Sequence, residues 1–183
     1  MAHIDLPPGL PGIVGLLTAY PHSRKPLNAL ANAVLVDDAS LTRGERELIA
    51  TRTSSGNECN FCMNSHAAAA RHLLSECANI VNLVMHDAQA APISEKMRAL
   101  LAISDKARVD GRLVTPSDIQ RAKDAGADDR AIHDTVLITA MFCMFNRYVD
   151  GLATPLPEDT ALFDVIGSRI SAHGYGSQFS DET

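Results

Sequence analysis

No stretch of this chain alternates apolar and polar residues over the length of a strand. From Leu27 to Val149 apolar positions recur three and four apart, the spacing of one helix face. That periodicity, interrupted only by short Gly, Pro, Ser and Asn breaks, predicts an all-α fold. Aromatics make up 4% of 183 residues and Trp is absent, so Leu, Ile, Val, Met and Ala must fill the core. HAAAAR at 66–71 implies helices that approach closely.

We expect one domain over 1–183. Residues 1–25 read as an N-terminal arm and short helix, because Pro7, Pro8, Gly9, Pro11 and Gly12 oppose regular helix. Helices are predicted over 26–37, with Pro26 in the first turn, and from Thr42, where Thr42 and Glu45 form a capping box. Ser54-Ser55-Gly56-Asn57 should break the run. Ser55 and Glu58 should cap a new helix reaching about Leu74, which makes 41–74 a helical pair. Further helices are expected over 77–86, 93–109, 115–125, 128–149 and 157–171. The second half of 128–149 is apolar nearly all round, as in a helix buried on most sides by this chain or by a partner subunit. Residues 172–183 read as a flexible tail.

Net charge is −6 and the sequence pI is near 5.6, with basic residues scattered, which argues against nucleic acid and anionic membranes as partners. No segment has the roughly 18 apolar residues of a membrane span, and the N-terminus lacks the basic lead of a signal peptide. Four cysteines at this length do not form a secreted disulfide framework; a cytoplasmic location fits better.

Chemistry concentrates in ECNFCMNSH, Glu58 to His66. On a helix Cys59, Cys62 and His66 share an arc of roughly 100°, with the cysteine Cα atoms about 5 Å apart, within disulfide reach. The helix start and the imidazole both favour a thiolate. Cys62, one turn from His66, is the candidate nucleophile, and Cys59 is its resolving thiol. Two other readings remain open: a metal site, although one helix supplies three ligands and a structural zinc takes four, and buried cysteines that merely pack. Cys77 and Cys143, alone in apolar runs, read as inert core residues. Glu47, beside Arg43, Arg46 and Arg52, reads from its neighbours as a solvated surface charge.

LTRGERELIATRTSSGNECNFCMNSH, 41–66, resembles the alkylhydroperoxidase D (AhpD-like) family of the carboxymuconolactone decarboxylase superfamily, whose motif is a glutamate, eleven residues, CxxC, three residues and a histidine. Glu47, Cys59, Cys62 and His66 stand at that spacing. SEKMRALLAISDKA, TPSDIQRAKDAGADDRAIHDTV and FCMFNRYVDGLATPLPED resemble the peroxidase-related branch, so the likeness covers roughly residues 10–160. It implies an AhpD-like helical domain with the CxxC at a helix start, commonly assembled as a trimer or hexamer. It also implies reduction of small organic hydroperoxides without a cofactor or metal, the thiol pair being restored by a dithiol reductant protein. By the resemblance Cys62 would become the sulfenic acid, Cys59 would donate a proton and resolve, and Glu47 with His66 would relay protons. Asn60 and Phe61 stand where some members carry a histidine, so any relay step through it is lost. Asn146, Arg147 and Asp150 read as polar anchors for helix ends or a subunit contact. The alternatives are a metal-binding or redox-sensing module without turnover, and a decarboxylase-type lyase or isomerase.

Overall fold

The computed structural model describes residues 1–75 and 78–176. Cys77, and the part of the expected flexible tail over 177–183, lie outside the described residues. Among those described the regular structure is helical: α1 (Gly12–Ala19), α2 (Pro21–Leu35), α3 (Arg43–Gly56), α4 (Asn60–Leu74), α5 (Asn79–His86), α6 (Glu95–Ala107), α7 (Pro116–Asp124), α8 (Asp129–Gly151) and α9 (Ala161–His173). A 3-10 turn, Gly111–Leu113, joins α6 to α7.

The strongest start signals behave as their chemistry dictates. Thr42 and Glu45 close a reciprocal capping box on α3, Thr115 and Asp118 close another on α7, and Asp128 caps α8. α2 departs from expectation. It starts at Pro21, whose fixed φ suits a first helical residue, so Pro26 stands inside the helix and not in its first turn.

The arginines of α3 tie the bundle together. Carbonyls at a helix C-terminus have no partner within the helix, and a guanidinium supplies several donors at once. Arg43 donates to the carbonyls of Ile170 and Ser171 at the end of α9, and Arg46 to those of Val34, Val36 and Asp37 at the end of α2. Arg52 reaches Val84 and Met85 at the end of α5 while its fork pairs with Asp105 at 2.9 and 3.0 Å. Three helix ends thus converge on one central helix.

α3 packs on α4 and α8, α4 on α9, and α8 on α6. Leu35, Leu48, Ile49, Leu100, Ile138 and Phe142 belong to the main core. The alanine run predicts its own packing: Ala67 to Ala70 are buried, and α9 crosses them at Gly167. A Cβ there would sit 2.5 Å from the Ala68 carbonyl carbon, so only glycine permits this approach. α8 is buried along one side through Ile138, Phe142, Phe145 and Val149; Val136, Leu137 and Met144 on the other side are exposed.

The residues from 172 to 176 are not a loose tail. α9 continues to His173, Gly174 ends it at φ +70, and Asn32 holds Tyr175 by its backbone N–H (2.8 Å) and carbonyl. The two-sided amide of Asn32 and the half-buried ring of Tyr175 against the core outweigh the low apolar content from which disorder was expected.

Candidate active site

The turn between α3 and α4 sets the position of the first cysteine. Cys59 N–H bonds the Ser54 carbonyl and Glu58 N–H bonds that of Ser55, each at 3.0 Å, while Glu58 takes the left-handed conformation at φ +61. This is a Schellman closure with glutamate in the place usually given to glycine. Gly56, the expected breaker, is the last residue of α3. The expected Ser55–Glu58 capping box does not form: Ser55 Oγ donates to the Met85 carbonyl, and Cys59 takes the N-cap position. No side chain caps α4, so its first N–H groups favour negative charge where Cys59 and Cys62 stand.

Both cysteines are free thiols, and both are buried, Cys59 at 0% and Cys62 at 3% exposure. They share a small apolar cluster with Leu16, Phe61, Val149 and Phe163. The two thiols are driven apart in acidity. The hydrogen bond that Cys59 directs at the Cys62 sulfur lowers Cys62; burial opposes this, while His66 and the Asn146 amide assist. Cys59 is raised for the converse reasons: it holds the shared proton, it is buried, it lies beside the charge on Cys62, and its thiol also meets the Asp150 carboxylate. Of the two, Cys62 is the thiol whose surroundings favour ionisation, and Cys59 is the one held protonated.

Glu47, read from its arginine neighbours as a surface charge, is buried at 1% exposure. The arginines do not solvate it because each is engaged at a helix end. Packing of α3 on α4 puts Glu47 Oε2 2.7 Å from His66 Nδ1. A carboxylate oxygen only accepts, so Nδ1 carries the proton and Nε2 keeps its lone pair. The Phe142 and His66 rings meet nearly perpendicular, with centroids 4.5 Å apart.

Sequence reasoning missed Tyr175. Its hydroxyl donates to Glu47 Oε1 at 2.6 Å and lies 3.3 Å from His66 Nδ1, and its ring stacks over the imidazole at 22°. Burial and the adjacent carboxylate hold its hydroxyl well above the usual tyrosine range, so it stays a donor. The available signal was one of only three tyrosines placed between two glycines beyond a helix. Asn146 and Asp150 lie close enough to the cysteine pair to bear on its acidity, Asn146 lowering Cys62 and Asp150 raising Cys59. Asn146 is buried, donates to Ser54 Oγ at 3.1 Å and accepts from Asn57 at 2.9 Å, which fixes α8 against the turn. Arg147 is exposed and donates to the Cys143 carbonyl of its own helix. Cys143 is half-buried, with its thiol towards the Arg108 carbonyl at 3.6 Å and 3.5 Å from the Asn57 amide nitrogen, and it does not line the Cys62 pocket.

A pocket of about 70 Å³ has Cys62 in its lining. Leu17, Leu27, Phe145 and Ile166, from four helices, wall it with hydrocarbon; Cys62, Ser65, His66 and Tyr175 are among its polar lining, and Cys59 does not line it. Among the described residues, no group of three or more His, Cys, Asp or Glu is arranged to hold a metal ion, and no helix is long and apolar enough to cross a membrane.

The carboxymuconolactone decarboxylase family pattern matches residues 21–105, which include all four motif residues. The fold is that of an alkylhydroperoxidase AhpD core, an uncharacterized peroxidase-related protein of Ralstonia eutropha, with TM-score 0.77 at 27% identity over 86% of this chain and 80% of that one. By fold the chain is AhpD-like, and its residues 21–105 match the carboxymuconolactone decarboxylase family. An uncharacterized peroxidase-related protein of a Silicibacter species is also similar, with TM-score 0.73 at 27% identity, covering 82% and 78% of the two chains. No curated protein matches this AhpD-like chain.

Proposed function

We propose that this protein reduces small organic hydroperoxides through the Cys62–Cys59 pair. One observation carries the reading: the thiol lowered by its surroundings is also the one that reaches the apolar pocket, while its partner is sealed behind it. A small apolar pocket ending on a thiolate suits R–O–O–H with a short hydrocarbon group.

His66 Nε2 takes the Cys62 proton, and Glu47 stabilises the resulting imidazolium through Nδ1. The Cys62 thiolate attacks the terminal peroxide oxygen. An S–O bond forms as the O–O bond breaks, and the departing alkoxide collects the proton from His66 and leaves as alcohol. Cys62, oxidised by two electrons, is now a sulfenic acid. The Cys59 thiol attacks that sulfur, the S–S bond forms, and its proton leaves with hydroxide as water. Cα atoms three apart on one helix turn permit the bridge without large backbone movement.

A dithiol reductant protein returns two electrons and two protons to the disulfide. We assign the protein to the cytoplasm, where such reductants are maintained. Exposed Val136, Leu137 and Met144 on the outer side of α8 favour a homo-oligomer, and the family resemblance implies a trimer or hexamer.

The test is intact-mass analysis of the reduced protein after one equivalent of cumene hydroperoxide. The reading expects loss of two hydrogens and a mapped Cys59–Cys62 disulfide. Cys59→Ser should stop at a sulfenic acid on residue 62, and Cys62→Ser should show neither product. Oxidation that persists in Cys62→Ser contradicts it.

A further inference from the structure

Ser65 is 3% exposed, and its hydroxyl makes no hydrogen bond within the protein. A serine inside a helix ordinarily bonds the carbonyl four residues back, as Thr51, Thr53, Thr135 and Thr139 do here. Ser65 does not bond the Phe61 carbonyl. A buried hydroxyl without a partner is destabilising, and alanine, present at the next four buried positions after His66, avoids that cost. The orphaned oxygen belongs to a residue that lines the pocket, one helical turn beyond Cys62 and next to His66.

We propose that Ser65 is a substrate-binding residue, whose hydroxyl donates to the carbon-side oxygen of an alkyl hydroperoxide. The inference rests on the peroxidase reading and adds to it the group that holds the leaving oxygen. Cys62 and Ser65 are i and i+3 on α4, so their Cα atoms are about 5 Å apart on adjoining parts of one face. A terminal oxygen poised about 3–3.5 Å from the Cys62 sulfur leaves the second oxygen one bond further along, between that sulfur and the serine. The alkyl group beyond it meets Leu17, Leu27, Phe145 and Ile166. Negative charge develops on the carbon-side oxygen as the O–O bond breaks, and a donor fixed in a water-poor pocket stabilises it there. His66 then supplies the proton, so the two neighbours have separate tasks: Ser65 binds the oxygen and His66 protonates it.

Reduced wild type and Ser65→Ala are mixed with cumene hydroperoxide, and the second-order rate of Cys62 oxidation is followed by stopped-flow. The same two proteins are alkylated with iodoacetamide across the pH range. Ser65→Ala is expected to slow peroxide oxidation by about 10- to 100-fold. Its alkylation rate and pH midpoint should match wild type, and its thermal midpoint should not fall. Oxidation of Ser65→Ala at the wild-type rate overturns the assignment while the peroxidase reading stands. An equal slowing of oxidation and alkylation also overturns it, because the serine would then act on the thiolate or the pocket as a whole. A wild type inert to hydroperoxide removes both.

Discussion

The Tyr175 hydroxyl donates to Glu47 Oε1 across 2.6 Å, so the segment beyond α9 closes the buried carboxylate that holds His66. With Tyr175 on one oxygen and His66 on the other, Glu47 is satisfied without water. Tyr175→Phe keeps the stacked ring and strands one oxygen of a buried carboxylate. We expect a loss of about 1–2 kcal/mol, read as a thermal midpoint lower by about 2–8 °C. An unchanged midpoint shows that water replaces the hydroxyl.

Glu47→Gln tests the relay with little change of shape. The amide no longer stabilises an imidazolium, and its NH₂ group can meet a donor where the carboxylate met only donors. Hydroperoxide turnover should fall by about 100-fold or more, with helix content by circular dichroism retained. Turnover within a few-fold of wild type rules out Glu47 as the partner of His66.

Gly167→Ala probes the crossing of α9 over the alanine run. The added methyl meets backbone atoms of Ala68 and Ala69 at 2.5 and 2.6 Å, which no side-chain rotation relieves. Destabilisation of about 1–3 kcal/mol is expected in denaturant unfolding. Because α4 carries the cysteines and α9 leads to Tyr175, peroxide reactivity should fall with it. A variant as stable as wild type means that the two helices separate without cost.

Helices were legible because their signals are local. Thr42 with Glu45, Thr115 with Pro116, and the spacing through Leu100 and Phe142 each act within a few residues, and each predicts its element. Helix spacing put Cys59, Cys62 and His66 on one arc, while Glu47 joined them only through the family resemblance. What stayed hidden depends on distant packing. Nothing near Glu47 in sequence reveals that Arg43, Arg46 and Arg52 are taken up by three separate helix ends, leaving the carboxylate to be buried. Tyr175 lies 128 residues from Glu47 in the chain, in a stretch whose composition reads as loose. Ser55 looked like a cap because its spacing to Glu58 is right, but the Schellman closure ends α3 first and passes the N-cap to Cys59.

The central claim is that the protein ionises one thiol of the pair and keeps the proton on the other. It is tested most directly by limited alkylation of the reduced protein over roughly pH 5–9, with each cysteine's label mapped by mass spectrometry. A lowered pKa means that the thiolate is already present at lower pH. Labelling at Cys62 should therefore begin first, with a midpoint clearly below that of an ordinary thiol, while Cys59 stays unlabelled across the range. In Cys59→Ala the donor is gone, and the Cys62 midpoint should move up. Labelling of Cys59 ahead of Cys62, or a Cys62 midpoint at the ordinary value near 8.5, would contradict the account.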